Sequence, residues 1–174
     1  ATRVNSLSLV RYRNNDYSVP VAFGHQEVWI RGYVHEVIIG CASEEIARHP
    51  RSYDREDYIF NPIHYLPLLE KKIGALDQAA PLAGWDLPNV FATLRRLLES
   101  RMGKPGKREY VQVLRLLETF ELNDLHGAIK DALRLSAISC DAIKHLVLCR
   151  IERRPPRLNL DIYPYLPRAQ VATT

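Results

Sequence analysis

Between Tyr17 and Arg51 apolar and polar residues alternate. Val28, Ile30 and Val34 keep one face apolar, with Glu27, Arg31 and His35 between them, and Val37 to Ile39 is a denser apolar run. Ala42-Ser43-Glu44 reads as a turn, beyond which Ile46 and Arg48 follow. Period-two runs of β-branched and aromatic residues, broken by glycine and short polar stretches, predict strands. Gly24, Gly32 and Gly40 fall eight residues apart, which suits turns or sharp bends in a tightly curled sheet. Upstream, Leu7, Leu9 and Arg11 alternate with Ser6, Ser8 and Val10, predicting a strand over residues 4–13. Asn14-Asn15-Asp16 predicts the following turn, and Tyr17 to Val19 the returning strand. So many short strands in one stretch predict a small SH3-like barrel, because a flat sheet of that size would leave its edges open.

The polar stretch 50–58 marks the exit from the barrel, and near Asn61 the period changes to that of a helix. Asn61 can cap and Pro62 can occupy the first turn. Leu66, Leu69 and Ile73 form a stripe, within which Pro67 predicts either a break or a helix start nearby. Residues 74–86 read as irregular. Asp86-Leu87-Pro88 opens a second helix, with Phe91, Leu94, Leu98 and Met102 on one face and Arg95, Arg96 and Glu99 on another. Gly103-Lys104-Pro105-Gly106-Lys107 reads as a linker, since proline and two glycines are costly inside a helix. Three more stripes follow: Tyr110, Val113, Leu114, Leu117 and Phe120; Leu125, Ile129, Ala132 and Leu133, capped by Asn123 or Asp124; and Ile143, Leu146, Val147 and Ile151, capped by Ser139. Pro155-Pro156 ends the last of them. The expected fold class is α+β: a barrel over residues 1–60, a short-helix bundle over 61–154, and an extended proline-rich tail over 155–174.

Composition adds bounds. The 174 residues suit one domain or two small ones, and 47% hydrophobic with 25% charged residues is ordinary for a soluble globular chain. Apolar runs are too short for a transmembrane helix, so no membrane partner is expected. Ala1-Thr2-Arg3-Val4 leads straight into a strand-like stretch rather than a secretory signal, and the absence of an initiating Met reads as a piece of something longer. Cys41, Cys140 and Cys149 show no paired-cysteine spacing, which fits a reducing cytosol. Net charge is +4, but residues 1–60 carry seven Lys and Arg against eight Asp and Glu. Such a barrel is a poor non-specific DNA binder by net charge alone, so any phosphate contact rests on local arginines such as Arg11 and Arg13.

No complete catalytic motif is visible, neither a phosphate-binding glycine loop nor a nucleophile elbow. Glu44 and Glu45 are adjacent and would point to opposite faces of a strand, which suits a solvated turn better than an acid/base pair. His145 and Cys149, four apart on a helix, could both face a metal, but two ligands are too few. Cys41 beside Gly40 is read as a buried strand-end cysteine rather than a nucleophile. His49 and Arg51 share one face of an extended chain, where they either hold a phosphate or satisfy local carbonyls. With Arg48, Arg11 and Arg13 they are the DNA-binding candidates. Arg95-Arg96 and Arg153-Arg154 read as solvated helix faces. In the tail, Leu158, Leu160 and Ile162 alternate, and Tyr163, Tyr165 and Leu166 add bulk. These six are the partner-binding candidates, either docking on another protein or covering the chain's own bundle.

The run YSVP-x5-HQEVWIRGYVHEVIIGCASEEIARHPR resembles the small barrel that follows the catalytic domain in transposases of the retroviral-integrase superfamily. LPNVFATLRRLLESRMG, REYVQVLRLLETFELNDLHGAIKDALRL and RIERRPPRLNLDIYPYLPRAQVATT resemble the C-terminal region of IstA-type transposases of bacterial insertion sequences. The resemblance implies a bacterial cytoplasmic parent with an N-terminal DNA-binding region and an RNase H-like domain whose three acidic ligands hold Mg2+. It implies partners too: terminal inverted-repeat DNA, other transposase subunits and an AAA+ ATPase helper of the IstB type. None of the catalytic acids maps onto this sequence, so no catalytic residue, metal ligand or cofactor is expected here. Two functions stay open, a DNA-contacting assembly module and a pure protein-interaction module with little DNA contact. An unrelated self-contained enzyme is a third.

Overall fold

The structure is a computed structural model and describes residues 1–153; the tail readings at Leu158, Leu160, Ile162, Tyr163, Tyr165 and Leu166 lie outside the described residues, as do Arg154 and Pro155-Pro156. Seven strands come first: β1 (Thr2–Arg3), β2 (Leu9–Tyr12), β3 (Asn15–Ser18), β4 (Glu27–Gly32), β5 (Glu36–Cys41), β6 (Glu44–Pro50) and β7 (Tyr58–Ile59). They form a four-stranded sheet in the order β1-β4-β5-β6 and a three-stranded sheet in the order β2-β3-β7. Neighbours are antiparallel except β3 and β7, which run parallel. Val4 and Val10, with Tyr17 and Val19, meet Val28, Val37 and Ile39 in one shared core, so two small open sheets packed on that core stand where a barrel is expected. The mixed α+β class read from the two periodicities is the class observed.

Local chemistry moves several boundaries. The strand expected over 4–13 is confined to β2, because the Asn5 side chain accepts from the amides of Leu7 (2.9 Å) and Leu9 (3.0 Å) and folds the chain into a turn. Leu7 is consequently exposed, and Leu9 and Val10 are both buried. The first hairpin turns one residue earlier than expected. Arg13 and Asn14 both take positive φ (49° and 69°), the twist that a two-residue hairpin loop requires. Asn15 and Asp16 therefore belong to the strand. Buried Asn15 donates to Ser52 O (3.0 Å) and accepts from the Asp57 amide (2.9 Å), tying in the polar exit segment, and β7 forms inside what read as loop. The Ala42-Ser43 turn sits where expected, between Cys41 and Glu44. Gly32 and Gly40 mark close approaches, not turns: the Tyr12 ring occupies the side-chain space of Gly32, and the Trp29 indole that of Gly40, at a ladder irregularity.

Five α-helices follow: α1 (Leu66–Lys71), α2 (Asn89–Met102), α3 (Lys104–Arg115), α4 (Leu122–Leu135) and α5 (Cys140–Glu152). Asn61 caps as read, its side chain accepting from the Ile63 amide (3.2 Å), and Pro67 falls in the first turn of α1, where its missing N–H costs nothing. The expected irregular stretch contains two 3-10 segments, Ile73–Gln78 and Ala80–Leu82. Phe91, Leu94 and Leu98 of α2 pack with Tyr110, Val113 and Leu114 of α3, Leu125 and Ile129 of α4, and Ile143 and Val147 of α5 in a second core. Met102, read into the α2 stripe, lies at the helix end and is exposed.

The expected linker at 103–107 is not one. Only Gly103 breaks the helix, at φ 68°, and α3 begins at Lys104 with Pro105 in its first turn. Gly106 lies buried against the Leu98 backbone. Nor do Asn123 and Asp124 cap α4: both are inside it, Glu121 precedes it, and Asp124 is an acid of the first turn. Ser139 caps α5 as read, accepting from the Ala142 amide (3.2 Å). Its replacement by Ala should lower stability by about 1 kcal/mol, a shift that thermal melting would register.

Candidate nucleic-acid interface

One end of the strand unit gathers arginines and aromatic rings. The Arg13 guanidinium carbon lies 5.9 Å from the centre of the Tyr12 ring and that of Arg51 5.6 Å from the same centre. Arg51 also lies 4.5 Å from the Tyr53 ring, and its Nη1 donates to the Tyr33 carbonyl (2.9 Å). The Tyr53 hydroxyl donates to the Val34 carbonyl (2.7 Å), which holds its ring in place. Three segments distant in sequence thus meet: the first hairpin turn, the β4–β5 turn and the chain leaving β6. The ring of Tyr12 can lie there because Gly32 has no side chain. Arg31 forms a second such stack on the outer face of the four-stranded sheet, 4.6 Å from the Trp29 ring, while the Trp29 indole N–H donates to Ala42 O (2.8 Å).

The residues singled out from sequence divide. Arg13 and Arg51 are in the cluster. Arg11 stands beside it but is paired with Asp16 at 3.2 Å. Arg48 lies on the sheet's outer face and is held by Glu36 (3.0 Å) and Glu45 (2.9 Å). The hydrogen bond and charge of Arg48 hold the Glu45 carboxyl below its ordinary range. His49 does not share a face with Arg51. Strand alternation sends it into the core, 3% exposed, with Nε2 at 2.6 Å from Ser18 O, while β6 ends at Pro50 and Arg51 leaves on another course. Sequence reasoning missed Tyr12, Tyr53 and Arg31. The only signal was the closeness of arginine and tyrosine in Tyr12-Arg13 and Arg51-Ser52-Tyr53.

His49 belongs instead to a buried polar knot at the junction of strands and helices. The Ser18 hydroxyl accepts from the Asn61 amide (2.8 Å) and meets His64 Nδ1 (2.8 Å). The His49 and His64 rings stand edge to face, centres 5.6 Å apart. Burial, and then the neighbouring His49, push His64 down to about 4; burial also lowers His49.

Two hollows flank the junction. A cleft of about 860 Å³ is lined by Val21, Ile46, Ile63, His64, Leu68 and Leu117. A more apolar one of about 440 Å³ lies against Leu7, Tyr58, Phe60, Tyr65, Leu68 and Pro81. The Tyr58 and Phe60 rings stack there, centres 6.0 Å apart. In the helical unit, Arg95 is taken up by Asp77 and Glu99, so it does not offer the free face expected of it, while Arg96 is exposed. Cys149 Sγ lies 3.5 Å from His145 Nε2. Among the described residues no group of three or more His, Cys, Asp and Glu could hold a metal ion, and no helix is long and apolar enough to cross a membrane.

Residues 1–61 match the family described as Mu transposase, C-terminal domain. Transposases for insertion sequences IS1326/IS1353 from Pseudomonas aeruginosa and Shigella flexneri are each 31% identical to this chain over 160 residues, covering 89% of it and 31% of the relative. A transposase from Aminobacter aminovorans is 33% identical over 137 residues, 76% of this chain and 26% of the relative. The chain therefore spans about a third of the length of these relatives or less. No solved structure matches it significantly. The match to the C-terminal domain family over the strand unit, continued by the relatives into the helices, places this chain in the C-terminal region of insertion-sequence transposases.

Proposed function

We propose that these residues serve DNA transposition as a non-catalytic part: the strand unit contacts the DNA backbone at the element's ends, and the helical unit with the tail contributes to assembly. The observation that carries this is the Arg13–Tyr12–Arg51–Tyr53 cluster, two cations pre-set on aromatic rings at one end of the strands. Phosphate contacts fix register and orientation without reading sequence, which suits a unit whose site is built from a few arginines. Arg11, beside the cluster, can add a weaker contact because Asp16 already occupies it. Arg48 can do so only by leaving Glu36 and Glu45. His49, buried in the junction knot, takes no part in the contact.

The partners in this reading are terminal inverted-repeat DNA, other transposase subunits and an AAA+ ATPase helper of the IstB type. The helper would engage the tail through Leu158, Leu160, Ile162, Tyr163, Tyr165 and Leu166, whose alternation and aromatic bulk suit an extended docking segment. Strand-transfer chemistry, with its Mg2+, belongs in this reading to other parts of the parent protein. The test takes terminal-repeat DNA and helper ATPase separately. Salt-sensitive binding of the chain to DNA, weakened by joint replacement of Arg11, Arg13, Arg48 and Arg51 with Ala, is the expected result; unchanged affinity and salt slope would refute the assignment. Deleting residues 157–174 should abolish helper binding and barely move the melting temperature. Divalent-metal-dependent strand transfer by the purified chain would overturn the non-catalytic reading.

A second reading, a protein-interaction module with little DNA contact, is favoured by the apolar hollow at Leu7, Tyr58, Phe60 and Leu68. Helper binding without any salt-sensitive DNA binding would select it.

A further inference from the structure

Resting on the proposed DNA contact, we infer that Tyr12 and Tyr53 are positioning residues that hold Arg51 as a pre-oriented phosphate fork, so that the site recognises the DNA backbone by geometry more than by charge.

Accumulated charge cannot be what holds DNA at this end. Residues 1–60 have one more acidic than basic residue, and the exposed carboxylates Asp54 and Glu56 follow Arg51 closely in the chain. Long-range attraction is therefore weak, and affinity has to come from contacts whose ordering cost is already met. Arg51 meets that condition. Its guanidinium carbon is within 4.5 Å of the Tyr53 ring centre and 5.6 Å of the Tyr12 ring centre. One nitrogen, Nη1, is spent on the Tyr33 carbonyl. Nε and Nη2 make no hydrogen bond among the described residues, and two N–H groups on one edge of a planar fork match two oxygens of a phosphate.

The rings are fixed in turn. Tyr53 is tied through its hydroxyl to Val34 O, and Tyr12 lies in the space left by Gly32. Both rings are committed to arginine, so base stacking is not their task here. Arg13, on the same Tyr12 ring and exposed, supplies a second cation for a neighbouring phosphate. A lysine at position 51 would keep the charge, but its compact ammonium has no planar face to lie on the rings and no fork.

The discriminating experiment measures anisotropy of a short labelled duplex of arbitrary sequence with the full chain across a salt series. Arg51→Lys should weaken binding about tenfold, as loss of a charge-assisted pair does, with the salt slope unchanged. Arg51→Ala should weaken it at least as much and lower the slope by about one. Tyr53→Leu, which leaves every charge in place, should cost about threefold. Lysine binding as tightly as arginine, or Tyr53→Leu binding as tightly as the unsubstituted chain, would overturn the inference and leave the DNA contact standing. Absence of salt-sensitive binding by the unsubstituted chain would overturn both.

Discussion

Replacing Gly106 by alanine should destabilise the helical unit by about 2–3 kcal/mol, although the same change in an ordinary exposed helix stabilises by about 1 kcal/mol. The sign reverses because of what lies against the residue. Gly106 is buried in the first turns of α3, and a β-carbon there would run into the Leu98 carbonyl and sit 2.9 Å from the Glu99 amide nitrogen, both backbone atoms of α2. Backbone cannot swing aside as a side-chain tip can, so α2 and α3 would have to part. That opens the core in which Leu98 and Phe91 meet Val113 and Leu114. For a domain whose total stability is on the order of 5–15 kcal/mol, this is a large fraction. Urea denaturation followed by far-ultraviolet circular dichroism is the measurement. An alanine variant as stable as the parent would show that the two helices are not packed as described.

Acid should weaken the chain well before its carboxylates protonate, and the junction knot is the cause. His64 has an ordinary value of 6.5 and is held at about 4 in the folded protein. Between those values the unfolded chain binds the proton and the folded chain does not. Stability is thus present in full above 6.5 and is lost as pH falls toward 4. The slope approaches about 1.4 kcal/mol per pH unit, for a total on the order of 3 kcal/mol from His64. His49 is lowered too and acts in the same direction. No ion pair to an acidic residue offsets a charge on either ring among the described residues. His64→Gln removes one of the two titrating groups and should make the profile shallower between pH 6.5 and 5, even if it lowers stability at neutral pH. A parent protein equally stable at pH 7 and pH 5 would refute the account.

The knot also shows how far the pattern of residues could be read. His49 looked like a surface partner of Arg51 because their spacing is right for one face of a strand. Where that strand ends cannot be seen in the spacing. It ends at Pro50, and the pairing with β5 turns His49 inward to Ser18. The Arg–Tyr cluster was half legible: its arginines were candidates, but the Tyr12 and Tyr53 rings on either side of Arg51 come from the first hairpin and the chain leaving β6, which only the packing of the two sheets brings together.

What the sequence determined by itself was whatever depends on periodicity and on local backbone chemistry. Alternation up to about residue 50 and a 3.6-residue period after Asn61 sufficed for the α+β class, because each period places one face against a core whatever that core is. The Asn61 and Ser139 caps were legible because each is settled within a few residues, while Pro67 allowed either a break or a helix start and α1 takes the second. Tertiary structure decided the rest. Gly106 reads as a chain breaker until α2 is laid against it; Gly32 and Gly40 read as bends until Tyr12 and Trp29 cover them. Asn15 reads as a turn residue until Ser52 and Asp57 bond its side chain. In each case the deciding partner lies too far along the chain for spacing to reveal it, and close packing or a buried hydrogen bond overrides the local preference.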